Sequence, residues 1–101
     1  MSITSDRNDP DLSVVESSGM HKKYLVLSEE ERAKGFIRPV RQNYIHEKCG
    51  VLTHMGLALS ETYARDPKFY GATFCVGCMA HYPVGEDSES VWDGTNEKVG
   101  T

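Results

Sequence analysis

The chain has 101 residues, three cysteines and a formal net charge of −4. That length suits one small domain, and with 39% hydrophobic residues its core is marginal, so a disulfide, a metal or a partner is expected to support it. The odd cysteine count disfavours a disulfide framework, and the middle of the chain is only mildly basic between acidic ends, a weaker footprint than a dedicated nucleic-acid binder shows.

Residues 1–23 are rich in Ser, Asp and Asn. Such a segment buries too little apolar surface to offset its ordering entropy, so a disordered tail is expected there, with His21 inert. The opening residues Met1–Asp6 lack the basic-then-apolar pattern of a secretory signal. No run approaches the ~18–20 apolar residues that cross a bilayer. The expected setting is the cytoplasm, without a membrane partner, where thiols stay reduced and free to bind metal.

The domain proper is expected over residues 24–101. Ser28 with Glu31 three residues on is a capping box, and predicts a short helix over 29–34 that Gly35 stops. Pro39 keeps Arg38 extended. Thr53 is placed to cap a helix over 54–65, whose Met55, Leu59 and Tyr63 recur at helical spacing. Asp66-Pro67 ends it. Gly71–Phe74 reads as a strand. Val91-Trp92 and Lys98-Val99 flank Asp93-Gly94-Thr95-Asn96, a hairpin turn.

Two short motifs carry the chemistry. His46-Glu47-Lys48-Cys49-Gly50 is an H-x-x-C-G element, and Cys75-Val76-Gly77-Cys78 is a C-x-x-C element. Two residues between ligands let a tight turn aim both side chains at one ion. Gly50 and Gly77 suit the positive φ or close backbone approach such turns need. Together His46, Cys49, Cys75 and Cys78 form a Cys3His set, a usual closed shell for structural Zn2+, and thiolate-rich ligation favours zinc over magnesium or calcium. His46 is preferred as the fourth ligand because it shares a turn with Cys49. His81, three residues after Cys78, and His54, at the start of the expected helix, are the alternatives. A catalytic zinc would need an open position and a base. The deaminase signature places an acid two residues after its histidine, and here Lys48 stands there. A non-enzymatic site is expected.

The aromatics Tyr44, Phe69, Tyr70, Phe74, Tyr82 and Trp92 flank these motifs and are read as core around the ion rather than a base-stacking surface. Gly35-Phe36-Ile37-Arg38-Pro39, Tyr44-x-His46-x-x-Cys49-Gly50, Glu61–Pro67, Phe69-Tyr70-Gly71 and Thr73-Phe74-Cys75-x-x-Cys78-x-x-His81-x-Pro83 resemble small zinc-ribbon-like proteins of bacteriophages and prophages. The resemblance covers roughly residues 35–99. The chain departs from it at Ser90, where an aromatic would be expected before Val91-Trp92. The resemblance implies a phage context and host cytoplasm, and no particular activity.

The expected fold is therefore α+β, a small zinc-ribbon or treble-clef-like domain behind a disordered N-terminal tail. The expected function is a zinc-stabilised interaction module that binds a protein of host or phage. The alternative is nucleic-acid binding through Arg38, Arg41, Lys48, Arg65 and Lys68.

Overall fold

A computed structural model describes residues 2–101; Met1, the first residue of the expected tail, lies outside them. The elements run β1 (Ser2–Thr4), a 3-10 turn (Pro10–Ser13), β2 (Lys23–Leu25), α1 (Glu29–Arg32), β3 (Asn43–His46), β4 (Val51–His54), α2 (Leu57–Arg65), β5 (Ala72–Cys75), β6 (Ala80–Pro83) and β7 (Ser90–Trp92). This is a small mixed α/β architecture with three separate sheets. β1 and β2 pair in parallel, β4-β3-β7 form an antiparallel sheet, and β5-β6 form an antiparallel hairpin.

The central sheet sorts its side chains by the two-residue period of a strand. Across it, Thr53, Tyr44 and Trp92 make one row, and Val51, His46 and Ser90 make the next. Both rows face inward, with Tyr44, Trp92, His46 and Ser90 all buried. The first row joins the core with Met55, Leu59 and Tyr63 of the α2 region, Val26 and Val99. The apolar stripe read from helical spacing is thus the stripe that packs. The second row leads to the metal ligands. Ser90 is 1% exposed and lies opposite His46, so a large aromatic there would compete with the imidazole for the same space.

α1 begins as its capping box requires, with the Ser28 hydroxyl accepting the Glu31 N–H at 3.2 Å. Its Arg32 pairs with Glu61 of α2 at 2.7 Å. α2 starts at Leu57, later than expected. Residues 53 and 54 are held in β4 by pairing with Tyr44 and Asn43. The Thr53 hydroxyl caps no helix; it accepts the Val76 N–H at 3.1 Å and so ties β4 to the second hairpin. A further tie is the Tyr44 hydroxyl, which donates to the Phe74 carbonyl and accepts from Thr73 at 3.1 Å. At the C-terminal end, Gly94 has φ +76, and the Trp92 N–H donates to the Glu97 carbonyl, closing the turn at 93–96.

The N-terminal residues differ most from expectation. In place of a disordered tail over 1–23, the structure carries β1, the 3-10 turn and a bridge between Val15 and His21. The reason is tertiary. Val26 is buried in the core, the Leu27 N–H reaches the Thr62 hydroxyl at 3.2 Å, and the Tyr70 hydroxyl donates to the Leu25 carbonyl at 2.5 Å. Lys23 closes the segment on itself through Asp9 and Asp11, at 3.0 and 3.5 Å. No helix among the described residues is long and apolar enough to cross a membrane.

Candidate metal centre

Each ligand pair sits where one hairpin turns. β3 delivers His46, and the chain reverses through Glu47–Gly50 into β4. The reversal is fastened by the Gly50 N–H on the His46 carbonyl at 2.7 Å. β5 delivers Cys75, and the chain reverses through Val76–Met79 into β6, fastened by the Met79 N–H on the Cys75 carbonyl at 2.8 Å. The turns match residue for residue. The residue after the second ligand is left-handed in both, Gly50 with φ +72 and Met79 with φ +54.

The two glycines therefore serve different ends. Gly50 supplies the left-handed position, and no atom lies within 4 Å of where its Cβ would be. Gly77 has no positive φ; a Cβ there would lie 2.7 Å from the Val51 side chain. Gly77 is what lets the two turns approach each other.

His46, Cys49, Cys75 and Cys78 come together with all four donor atoms within 4.8 Å of one another. The His46 Nδ1 lies 3.3 Å from Cys49 Sγ and 3.6 Å from Cys78 Sγ, and Cys49 Sγ lies 3.5 Å from Cys75 Sγ. A tetrahedral ion with thiolate bonds of about 2.3 Å and an imidazole bond of about 2.0 Å would set donors about 3.5–3.8 Å apart. The donor set fits such an ion. His46 and Cys75 are buried, and Cys49 and Cys78 are exposed.

A second layer orients the ligands. The His46 Nε2 meets the Glu89 carboxylate at 2.9 Å, and Lys48 approaches the same carboxylate at 3.5 Å. Glu89 thus holds a proton on Nε2 and leaves Nδ1 facing the sulfurs, the arrangement typical of metal-bound histidine. That contact, opposed by burial, raises the His46 pKa, and His46 in turn lowers that of Glu89. Tyr82 stacks on the imidazole at 4.3 Å, and hydrogen bonding to Cys78 together with desolvation pushes its phenol up to about 12. The Cys78 N–H points at Cys75 Sγ at 3.4 Å, placing a backbone donor on a sulfur that would carry charge.

The alternative histidines are elsewhere. The His54 Nδ1 meets Asn43 at 2.8 Å on the exposed side of β4. The His81 Nε2 meets the Tyr24 hydroxyl at 2.9 Å. Glu89 is the functional residue that spacing does not find. It is 43 residues from His46 and arrives only because Ser90 of β7 pairs with His46.

Of the bases read as a nucleic-acid surface, Arg41 pairs with Glu97 at 2.5 Å and lies 4.9 Å over the Trp92 ring. Lys48 pairs with Glu89. Arg65 and Arg38 turn to the carbonyls of Gly35 and Thr101.

Comparison with protein-family models, with curated proteins and with solved structures finds no match.

Proposed function

We propose that this chain is a zinc-stabilised interaction module of the zinc-ribbon type, non-enzymatic, in which one Zn2+ held by His46, Cys49, Cys75 and Cys78 locks two hairpins together to present a surface to a protein partner. The observation that carries the reading is the donor geometry. Two matched turns aim four N/S donors at one point, and a carboxylate holds the histidine in the ligating tautomer. Three thiolates and an imidazole suit zinc, and four protein donors leave no open position for a substrate or water. Exposed Val76 and Met79 on the second turn, beside half-shielded Val51, offer apolar contact of the kind a partner covers. The pairing of Arg41 and Lys48 with acids favours a protein partner over nucleic acid. The phage setting rests on the resemblance of residues 35–99 alone.

Native mass spectrometry of the reduced protein, with and without chelator, tests the metal. One zinc per chain is expected, lost on chelation with loosening of the two ligand hairpins; a reduced chain that carries no zinc overturns the reading. Retention on DNA or RNA at low salt that falls steeply as salt rises would replace the protein partner with a nucleic acid.

A further inference from the structure

The loop over residues 14–22 packs against one side of the second metal hairpin. Gly19 lies so close that a Cβ there would stand 2.3 Å from the Met79 carbonyl oxygen, and its φ of +90 suits glycine. The loop is closed on itself by the Val15–His21 bridge and by the Glu16 N–H on the Met20 carbonyl at 2.7 Å. Met20 of the loop lines an apolar cavity with Ala72, Thr73 and Phe74 of the hairpin, and a pair of imidazoles meets beside it. The rings of His21 and His81 lie with centroids 4.5 Å apart, tilted by 31°. The Tyr24 hydroxyl lies 2.9 Å from the His81 Nε2 and accepts the backbone N–H of His21 at 3.2 Å. Phe74 meets His81 edge-on at 5.3 Å.

We propose that the closely apposed imidazoles of His21 and His81 form a pH-sensitive latch, which holds residues 14–22 against the second hairpin while the rings are neutral and releases them when both are charged. Two imidazolium rings at this separation repel. Neither ring pairs with a carboxylate among the described residues. Lys22 and Lys23 of the same segment are cations, already paired with Asp11 and Asp9. Glu16 is the one free acid of the loop, and its charge acts on the Tyr24 phenol. The 3-10 turn offers Leu12, and the facing strands and the loop before them offer Ala72 and Tyr70. β5 and β6 hold no Asp, Glu, Lys or Arg.

The sign follows from His81. Burial, and then the neighbouring His21, hold its pKa below the ordinary value. The docked loop therefore binds fewer protons than the released loop. Docking is at full strength above the ordinary histidine range and is lost as pH falls through and below it. The opening is local, because Val26, Leu27 and Leu25 are anchored to the core, Thr62 and Tyr70 independently of either histidine.

An NMR titration of the full chain tests this. Ring signals of His21 and His81 give their protonation, cross-peaks between Gly19 and Met79 give docking, and the Gly50 and Gly77 amides give the integrity of the metal hairpins. The expected result is a depressed His81 midpoint, with the Gly19–Met79 cross-peaks lost as it charges and the Gly50 and Gly77 signals in place. His81→Gln and His21→Gln, which remove the second charge, should keep the cross-peaks to lower pH than the wild type. Cross-peaks that persist in the wild type with both rings charged overturn the latch. So does their loss only together with the Gly50 and Gly77 signals, or release at the same pH in both variants. If a variant is undocked already at neutral pH, the wild-type titration decides.

Discussion

At the scale of single residues, the two turn glycines make opposite predictions. Gly50→Ala strains a left-handed backbone and should cost about 1–2 kcal/mol. Because no atom lies within 4 Å of the new Cβ, trimming neighbours should not recover it. Gly77→Ala instead drives a methyl to 2.7 Å from Val51, an overpacking cost of about 1–3 kcal/mol. Val51→Ala should relieve most of that. A double-mutant cycle in denaturant measures the coupling, expected for Gly77 with Val51 and absent for Gly50 with Val51. Glu89 is the other informative residue. Glu89→Gln keeps the shape but lets the amide rotate, so Nε2 is no longer held as the donor. Metal affinity, read by competition with a chromophoric chelator, should fall about 10- to 100-fold with the fold retained when metal is saturating. An unchanged affinity would remove Glu89 from the site. The motif was legible residue by residue because each ligand pair is a local turn. Glu89 was not, because its position depends on which strand pairs with β3.

At the scale of elements, the two hairpins are joined both by the donor cluster and by hydrogen bonds. Thr53 to Val76 and Tyr44 to Phe74 cross the same gap. Cys75→Ser should therefore loosen the metal turns first. Amide exchange is expected to rise most at Cys75–Met79 and Cys49–Gly50, and least in α2. Uniform loss of protection across the chain would mean instead that the cluster holds the whole fold. The N-terminal segment has its own tie. Tyr70→Phe removes the donor to the Leu25 carbonyl and should cost about 1 kcal/mol, read as earlier release of residues 2–25 in limited proteolysis. Element by element, the capped helix at Glu29 was readable because Ser28 and Glu31 are three residues apart. The start of α2 was not. Thr53 is a fair cap by type, but pairing with Tyr44 claims it for β4, and tertiary pairing overrides a weak local preference.

For the whole molecule, the tyrosines set an alkaline limit. Burial pushes the Tyr44 phenol up to about 12 and raises those of Tyr63 and Tyr70 further. In the unfolded chain they would titrate near 10.0. The folded state thus binds more protons between these limits. Their contribution to stability is fully present below about pH 10 and is lost as pH rises from there. Chemical denaturation of the metal-loaded protein across that range should show a plateau followed by a fall. Most of the phenolate absorbance should appear with unfolding rather than before it, and early titration of all five tyrosines would contradict the buried cluster.

What is local could be read from the residues in order: the two ligand turns and their three thiols, the capped short helix, the apolar stripe of Met55, Leu59 and Tyr63, and the glycine turn at 93–96. Each depends on residues within a few positions of one another, where backbone sterics and side-chain reach decide the outcome. The tertiary structure set His46 against the sulfurs and turned His54 to Asn43 and His81 to Tyr24. It also brought Glu89 to His46, set Gly77 against Val51, and folded the polar N-terminal segment onto the domain. That segment has too few apolar groups to order itself. Its order comes from partners on α2, on the 66–71 loop and on the second hairpin, none of them adjacent in sequence.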